Sequence, residues 1–173
     1  MHKKLFSIFS ALLIAIFITS TVSAGPGVKF SRNVDFSLGS LIANGSLFRY
    51  GNLDMIVYLS ASGDPLVTCT NQGGNQAPGQ NPPKVSAAGE QSLPKDGETT
   101  KNGKASFSVE TVDPQFVDAL VFGCPNDNWT AEIDFIFWTD ATITITDLSG
   151  NVLLTQDYTC DTTINSVSCT PVE

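Results

Sequence analysis

Glu132 and Asp134 are the first residues whose type and spacing could do chemistry. They stand two apart in the alternating stretch 130–138, which predicts a β-strand, so both carboxylates project from one face. Two carboxylates are the equipment of a glycoside hydrolase, one as acid and the other as base or nucleophile. The same spacing also describes two solvated residues on the open face of a sheet, which is the plainer reading. No Asp-Thr-Gly or Asp-Ser-Gly occurs, so an aspartic-protease pair has no support. Asn126-Asp127-Asn128 gathers three oxygen-bearing side chains, the ligand type of calcium. The EF-hand pattern of alternating ligands, central Gly and distal Glu is absent, and such residues more often cap a turn.

Sugar binding is the third chemistry these residues allow. Glycan-binding sandwiches present flat rings and amides. Phe48, Tyr50, Trp129 and Trp138 offer the rings. Asn71, Gln72, Asn75, Gln76, Gln80 and Asn81 offer the amides, all within the polar stretch 69–83, CTNQGGNQAPGQNPP. Trp129 follows Cys124 closely and is expected to pack on a disulfide as core. Trp138 ends an apolar run before Thr139-Asp140 and is the better candidate for exposure. Trp138 and the six amides, with Asn126, Asp127 and Asn128, form the candidate ligand-binding set. The plainer account of 69–83 is a self-capped loop, because Asn side chains commonly bond their own backbone. Its glycines permit positive φ, and Pro82-Pro83 stiffens its far end.

The elements that must carry these residues read as short strands. Residues 39–48 place Leu41, Ala43, Gly45 and Leu47 on one face. Residues 53–61 place Met55, Val57 and Leu59 on one face and Ile56 and Tyr58 on the other. Residues 66–70 lead into the polar stretch, and 84–93 resume as a weaker strand. After a polar connector with a tight turn at Asn102-Gly103, Ala105, Phe107 and Val109 face one way. In 130–138, Ala131, Ile133, Phe135 and Phe137 share a face, while Ile136 and Trp138 share the other with the two carboxylates. Residues 141–146 point Ile143 and Ile145 inward, a turn follows at Ser149-Gly150-Asn151, and 152–158 return as the partner strand. No helix longer than one turn is expected. The pattern predicts an all-β chain, a single immunoglobulin-like antiparallel β-sandwich, with a small β-barrel as runner-up.

The N-terminus reads as a cleaved signal peptide. Lys3 and Lys4 precede an apolar run, and Val22-Ser23-Ala24 supplies the small residues of a cleavage site. The run is shorter than the ~20 apolar residues that span a bilayer. The expected organisation is signal 1–24, sandwich 25–159 and a disulfide-closed tail 160–173, with no membrane span after cleavage. Removing Lys3 and Lys4 leaves 7 basic against 17 acidic residues, a net charge of −10, and removing His2 leaves no histidine. That charge repels nucleic acid and anionic lipid. The lack of histidine excludes Ser-His-Asp and Cys-His nucleophile systems.

Cys69, Cys124, Cys160 and Cys169 are an even set in a secreted chain, which argues for two disulfides. Three pairings are possible, and Cys69–Cys124 with Cys160–Cys169 is favoured. In the chain-entropy model the long loop contributes about 4 kcal/mol and the short one about 3 kcal/mol. Zinc lacks both a Cys-x-x-Cys pair and a histidine. No catalytic residue, no metal and no cofactor is therefore expected.

At CTNQGGNQAPGQNPP in 69–83, and again at GCPNDNWTA in 123–131, the chain resembles an uncharacterised family of small secreted bacterial all-β proteins. The likeness extends to 45–51 and to the final hairpin through Tyr158. It implies a secreted all-β domain with a loop between a paired cysteine and the next strand, and it brings no activity or partner. The sequons at Asn44-Gly-Ser46 and Asn128-Trp-Thr130 read as chance in such a host. The expected role is a secreted, non-catalytic binding or structural module at the cell surface, with an extracellular glycan or matrix as the leading ligand class. A carboxylate-dependent glycan hydrolase is the alternative.

Overall fold

The structure is a computed structural model and describes residues 27–48, 53–96, 100–101, 103–114 and 117–173. The signal segment, Tyr50 and Asn102 lie outside the described residues. Eleven strands follow one another among those that are described: β1 Lys29–Phe30, β2 Asp35–Ser37, β3 Ile42–Phe48, β4 Met55–Thr70, β5 Gln76–Pro78, β6 Val85–Leu93, β7 Thr100–Lys101, β8 Lys104–Glu110, β9 Thr130–Asp147, β10 Val152–Thr163 and β11 Ser166–Pro171. They form two antiparallel sheets, not a closed barrel. The smaller sheet runs β1-β3-β8-β7, with β2 beside β1 on the same edge of β3. The larger runs β11-β10-β9-β4, with β5 and β6 both on the outer edge of β4.

The inner faces follow the expected alternation over most of their length. Leu41, Ala43 and Leu47 meet Met55, Val57, Leu59, Ala105, Val109, Ile143 and Ile145 in one buried core. Each large side chain among them is worth about 1.5–3 kcal/mol of transfer free energy. Two of the expected strand pairs are single long strands: 53–61 and 66–70 lie within β4, and 130–138 and 141–146 lie within β9.

That continuity rests on two bulges in β9. Val67 pairs with Ile133 and Leu66 with Phe135, so Asp134 is the extra residue. Gly63 pairs with Trp138 and Ser62 with Asp140, so Thr139 is another. Each inserted residue flips the side-chain phase. Between the bulges, Ile136 and Trp138 turn inward and are buried, while Phe135 and Phe137 sit half-buried on the outer face. The exposed position expected for Trp138 is therefore corrected: its ring is 1% exposed. The bulges also bend a strand of 18 residues enough to stay on a twisted sheet.

The edges of the sandwich are drawn together. On one side the Val112 N–H donates to the Ala88 carbonyl at 2.9 Å. There a Cβ on Gly89 would stand 1.7 Å from the Glu110 carbonyl oxygen, so only glycine allows the approach. On the other side Phe36 of the small sheet packs edge-on against Tyr158 of the large one, 5.0 Å between centroids. Both favoured disulfides are present. Cys69–Cys124 ties the end of β4 to the connection before β9. Cys160–Cys169 joins directly opposed residues of β10 and β11. β10 passes through Thr159 and Cys160 without a break, so 160–173 holds the end of that strand and all of β11.

Candidate functional site

The outer face of the large sheet carries a shallow depression of about 320 Å³ where β4, β6 and β9 run side by side. Alternation decides what lines it. Buried positions on β4 take Leu59 and Ala61, so the outward ones between and after them are Ser60 and Ser62. Opposite stand Ala88 and Ser86 on β6, and Thr142 and Asp140 on β9. These side chains are short, and the sheet surface lies nearly bare.

Two walls bound this floor. Tyr58 stands one row along, 36% exposed, between Glu90 and Thr144. At the other end the Thr139 bulge sets two adjacent polar residues against Lys84. The Lys84 ammonium donates to Thr139 Oγ1 at 2.9 Å and lies 3.7 Å from Asp140 Oδ2. Thr139 Oγ1 in turn donates to Asp140 Oδ2 at 2.6 Å. The hydrogen bond from Thr139, aided by the Lys84 charge, holds the Asp140 carboxyl below its usual range. Asp140 is therefore an acceptor at neutral pH and a poor proton donor. Thr142 Oγ1 is taken up by Asp157 Oδ1 at 2.7 Å, while the Ser60 and Ser86 hydroxyls have no partner among the described residues. The face thus offers free hydroxyls, one fixed anion–cation pair and one ring.

The carboxylates singled out in the sequence lie further along β9. Asp134 is the bulge residue and accepts from Thr68 Oγ1 at 2.6 Å, and Glu132 stands opposite Thr68. Both line a second depression of about 320 Å³, together with Asp113. Burial pushes the Asp113 carboxyl up, against the pull of hydrogen bonds from Thr111 and Ser40. Asp113 was not legible as a partner of Glu132, since nothing in the sequence brings the end of β8 beside the start of β9.

The amides of the polar stretch divide into used and free. Asn71 Oδ1 accepts from the Gly73 and Asn75 N–H groups, both at 2.9 Å, so it caps the β4–β5 hairpin. Gln72, Asn75 and Gln76 are exposed at the hairpin tip, and Gln80 and Asn81 are exposed beyond β5. The Gln80 N–H donates to the Gly123 carbonyl at 3.0 Å, which seats the loop against the Cys124 segment. Gly123 has φ +80°, and a Cβ there would stand 2.0 Å from the Gln80 carbonyl oxygen. Asn126 Oδ1 accepts from the Asn128 N–H at 3.0 Å, a turn cap as expected. Asp127 and Asn128 are exposed, and Trp129 is partly buried against the core. Trp138 does not join these amides, because it points between the sheets, where its Nε1 has no hydrogen-bond partner among the described residues.

Sequence reasoning passed over Tyr58, Lys84 and Asp140 as a set. The available signal was the run Ser60-x-Ser62 after Tyr58, all on the face opposite Val57 and Leu59. Among the described residues no helix is long and apolar enough to cross a membrane, and no group of three or more His, Cys, Asp or Glu could hold a metal ion. No protein-family model, curated protein or solved structure matches this chain.

Proposed function

We propose that this chain is a secreted, non-catalytic module that binds an extracellular glycan along the outer face of its large sheet. The observation that carries the reading is the floor of small side chains between Tyr58 and the Lys84–Asp140 pair. A flat polyhydroxylated ligand needs room to lie down, free hydroxyls that donate and accept, and a ring to cover an apolar sugar face. The two disulfides and the apolar N-terminal run support secretion, with cleavage after Ala24. The two-sheet antiparallel layout supports the immunoglobulin-like grouping, although neither disulfide joins one sheet to the other. Membership of the small secreted bacterial family belongs to the same proposal.

Retention on a panel of immobilised polysaccharides tests the reading. The protein is retained and releases no sugar. Tyr58→Ala weakens retention about tenfold, as loss of a central ring does. Ser60→Trp fills the floor and abolishes retention without moving the unfolding midpoint. Retention unchanged in both variants would remove the outer face as the site.

One observation favours a second reading, a carboxylate-dependent glycan hydrolase. Asp113, held protonated to higher pH by burial, lines the same depression as Glu132 and Asp134. Glycoside hydrolysis needs one carboxyl that stays protonated and a second one nearby, and this depression holds candidates for both. Sugar release that disappears in Asp113→Asn would establish it in place of the binding module.

A further inference from the structure

A third cleft, of about 230 Å³, opens between the two sheets at the edge where the β1–β2 connection faces the β10–β11 hairpin. We propose that it binds a carboxylate-bearing, single-ring ligand of the hexuronate class, with Arg32 holding the carboxylate and Tyr158 bonding the ring hydroxyls.

The cleft follows from how the edge is built. Tyr158 is opposite Ala141 on one side and Pro171 on the other, and it faces inward on β10. It is only 5% exposed, lines the cleft, and its hydroxyl has no hydrogen-bond partner among the described residues. The hydroxyl is not among the fully enclosed polar atoms, so it opens into the cleft, where a ligand can both accept from it and donate to it. Burial raises its ionisation to about 12, which keeps it a neutral donor throughout the physiological range. Gln156, two residues back on the same face, spends its amide nitrogen on the Asp157 and Val172 carbonyls, both at 3.0 Å. Its amide oxygen remains as an acceptor.

Arg32 and Asn33 come from the β1–β2 connection at the edge of the smaller sheet. Arg32 is the only arginine among the described residues and makes no ion pair with them. An unpaired guanidinium on so acidic a chain is an available fork for a carboxylate, which it grips through two parallel hydrogen bonds. Phe30, Val34 and Pro171 supply apolar wall. The volume falls just under the ~300 Å³ at which pockets for drug-sized ligands begin, which suits one ring. The cleft is separate from the outer-face floor, so either site can fail without the other.

The test is a titration of the ¹⁵N-labelled, disulfide-bonded protein with sodium glucuronate, glucose and acetate in turn. Glucuronate is expected to shift the amides of Arg32, Asn33, Gln156, Tyr158 and Thr170, and to bind about tenfold tighter than either glucose or acetate. Arg32→Gln removes that preference. Tyr158→Phe, which leaves the packing in place, weakens glucuronate several-fold. Equal binding of glucose and glucuronate, full affinity in Arg32→Gln, or shifts confined to Tyr58 and its neighbours would each overturn the assignment. The absence of any shift at millimolar glucuronate would overturn it as well.

Discussion

The polar hairpin at 71–81 and the outer face of the large sheet are both rich in hydrogen-bonding side chains, and they use them in opposite ways. In the hairpin the backbone leaves the ladder, so its N–H groups need partners. Asn71 supplies them, and Asn126 does the same in the neighbouring turn. On the sheet the ladder between β6, β4 and β9 already satisfies the backbone. Ser60 and Ser86 are left without a partner among the described residues. Side chains on a regular strand are free for a ligand because the backbone does not need them. Polar composition alone does not distinguish the two cases.

The comparison can be broken most sharply at the disulfide that anchors the hairpin side. Replacing Cys69 and Cys124 together by Ala should cost about 4 kcal/mol, given their separation of 55 residues. Urea unfolding measures it. If the polar loop is as rigid as its bonds to the Gly123 segment require, amide exchange at Gln80 should rise with that loss. An unchanged exchange rate would mean that the loop is held by its turn caps alone.

A smaller effect is expected from Asn71→Ala. Two turn N–H groups lose their acceptor, and stability should fall by about 1–2 kcal/mol, whereas Ser60→Ala on the sheet should change it by less than about 0.5 kcal/mol. Equal losses at the two positions would erase the distinction between used and free side chains.

The smallest effect belongs to Asp140. Its carboxyl is held below the usual range, so it contributes stability above the ordinary carboxylate value and loses it as pH falls through the lowered one. The group is exposed, and solvent screening keeps the contribution small. Unfolding midpoints of the wild type and Asp140→Asn should differ slightly at pH 7 and converge once the pH has fallen below the lowered carboxyl. A gap that persists or widens in acid would show that Asp140 acts through something other than its charge.

Much of the fold was legible because alternation is a local property. The inward sets Leu41-x-Ala43, Met55-x-Val57-x-Leu59 and Ile143-x-Ile145 are visible in sequence and are buried as expected. The even cysteine count and their placement pointed to the pairing that is present. The failure came at Trp138. A run of Ala131, Ile133, Phe135 and Phe137 reads as one apolar face, but an inserted residue at Asp134 exchanges the faces halfway along. The amides of 69–83 and of 126–128 were the most conspicuous candidates, yet one in each stretch, Asn71 and Asn126, is occupied by its own turn.

By itself the sequence determined the strand-forming stretches, their inner faces outside the bulged region, the even cysteine count and the acidic charge. These depend on residue type and on spacing within one segment. Only the tertiary structure decided where β9 bulges, because a bulge is defined against a partner strand. It alone brought Lys84 to Asp140, Asp113 to Glu132, and Arg32 to Tyr158, since each pair joins residues far apart in the chain. The side chains that remain free for a ligand follow from both: the type is written in the sequence, and the availability comes from what the folded backbone has already satisfied.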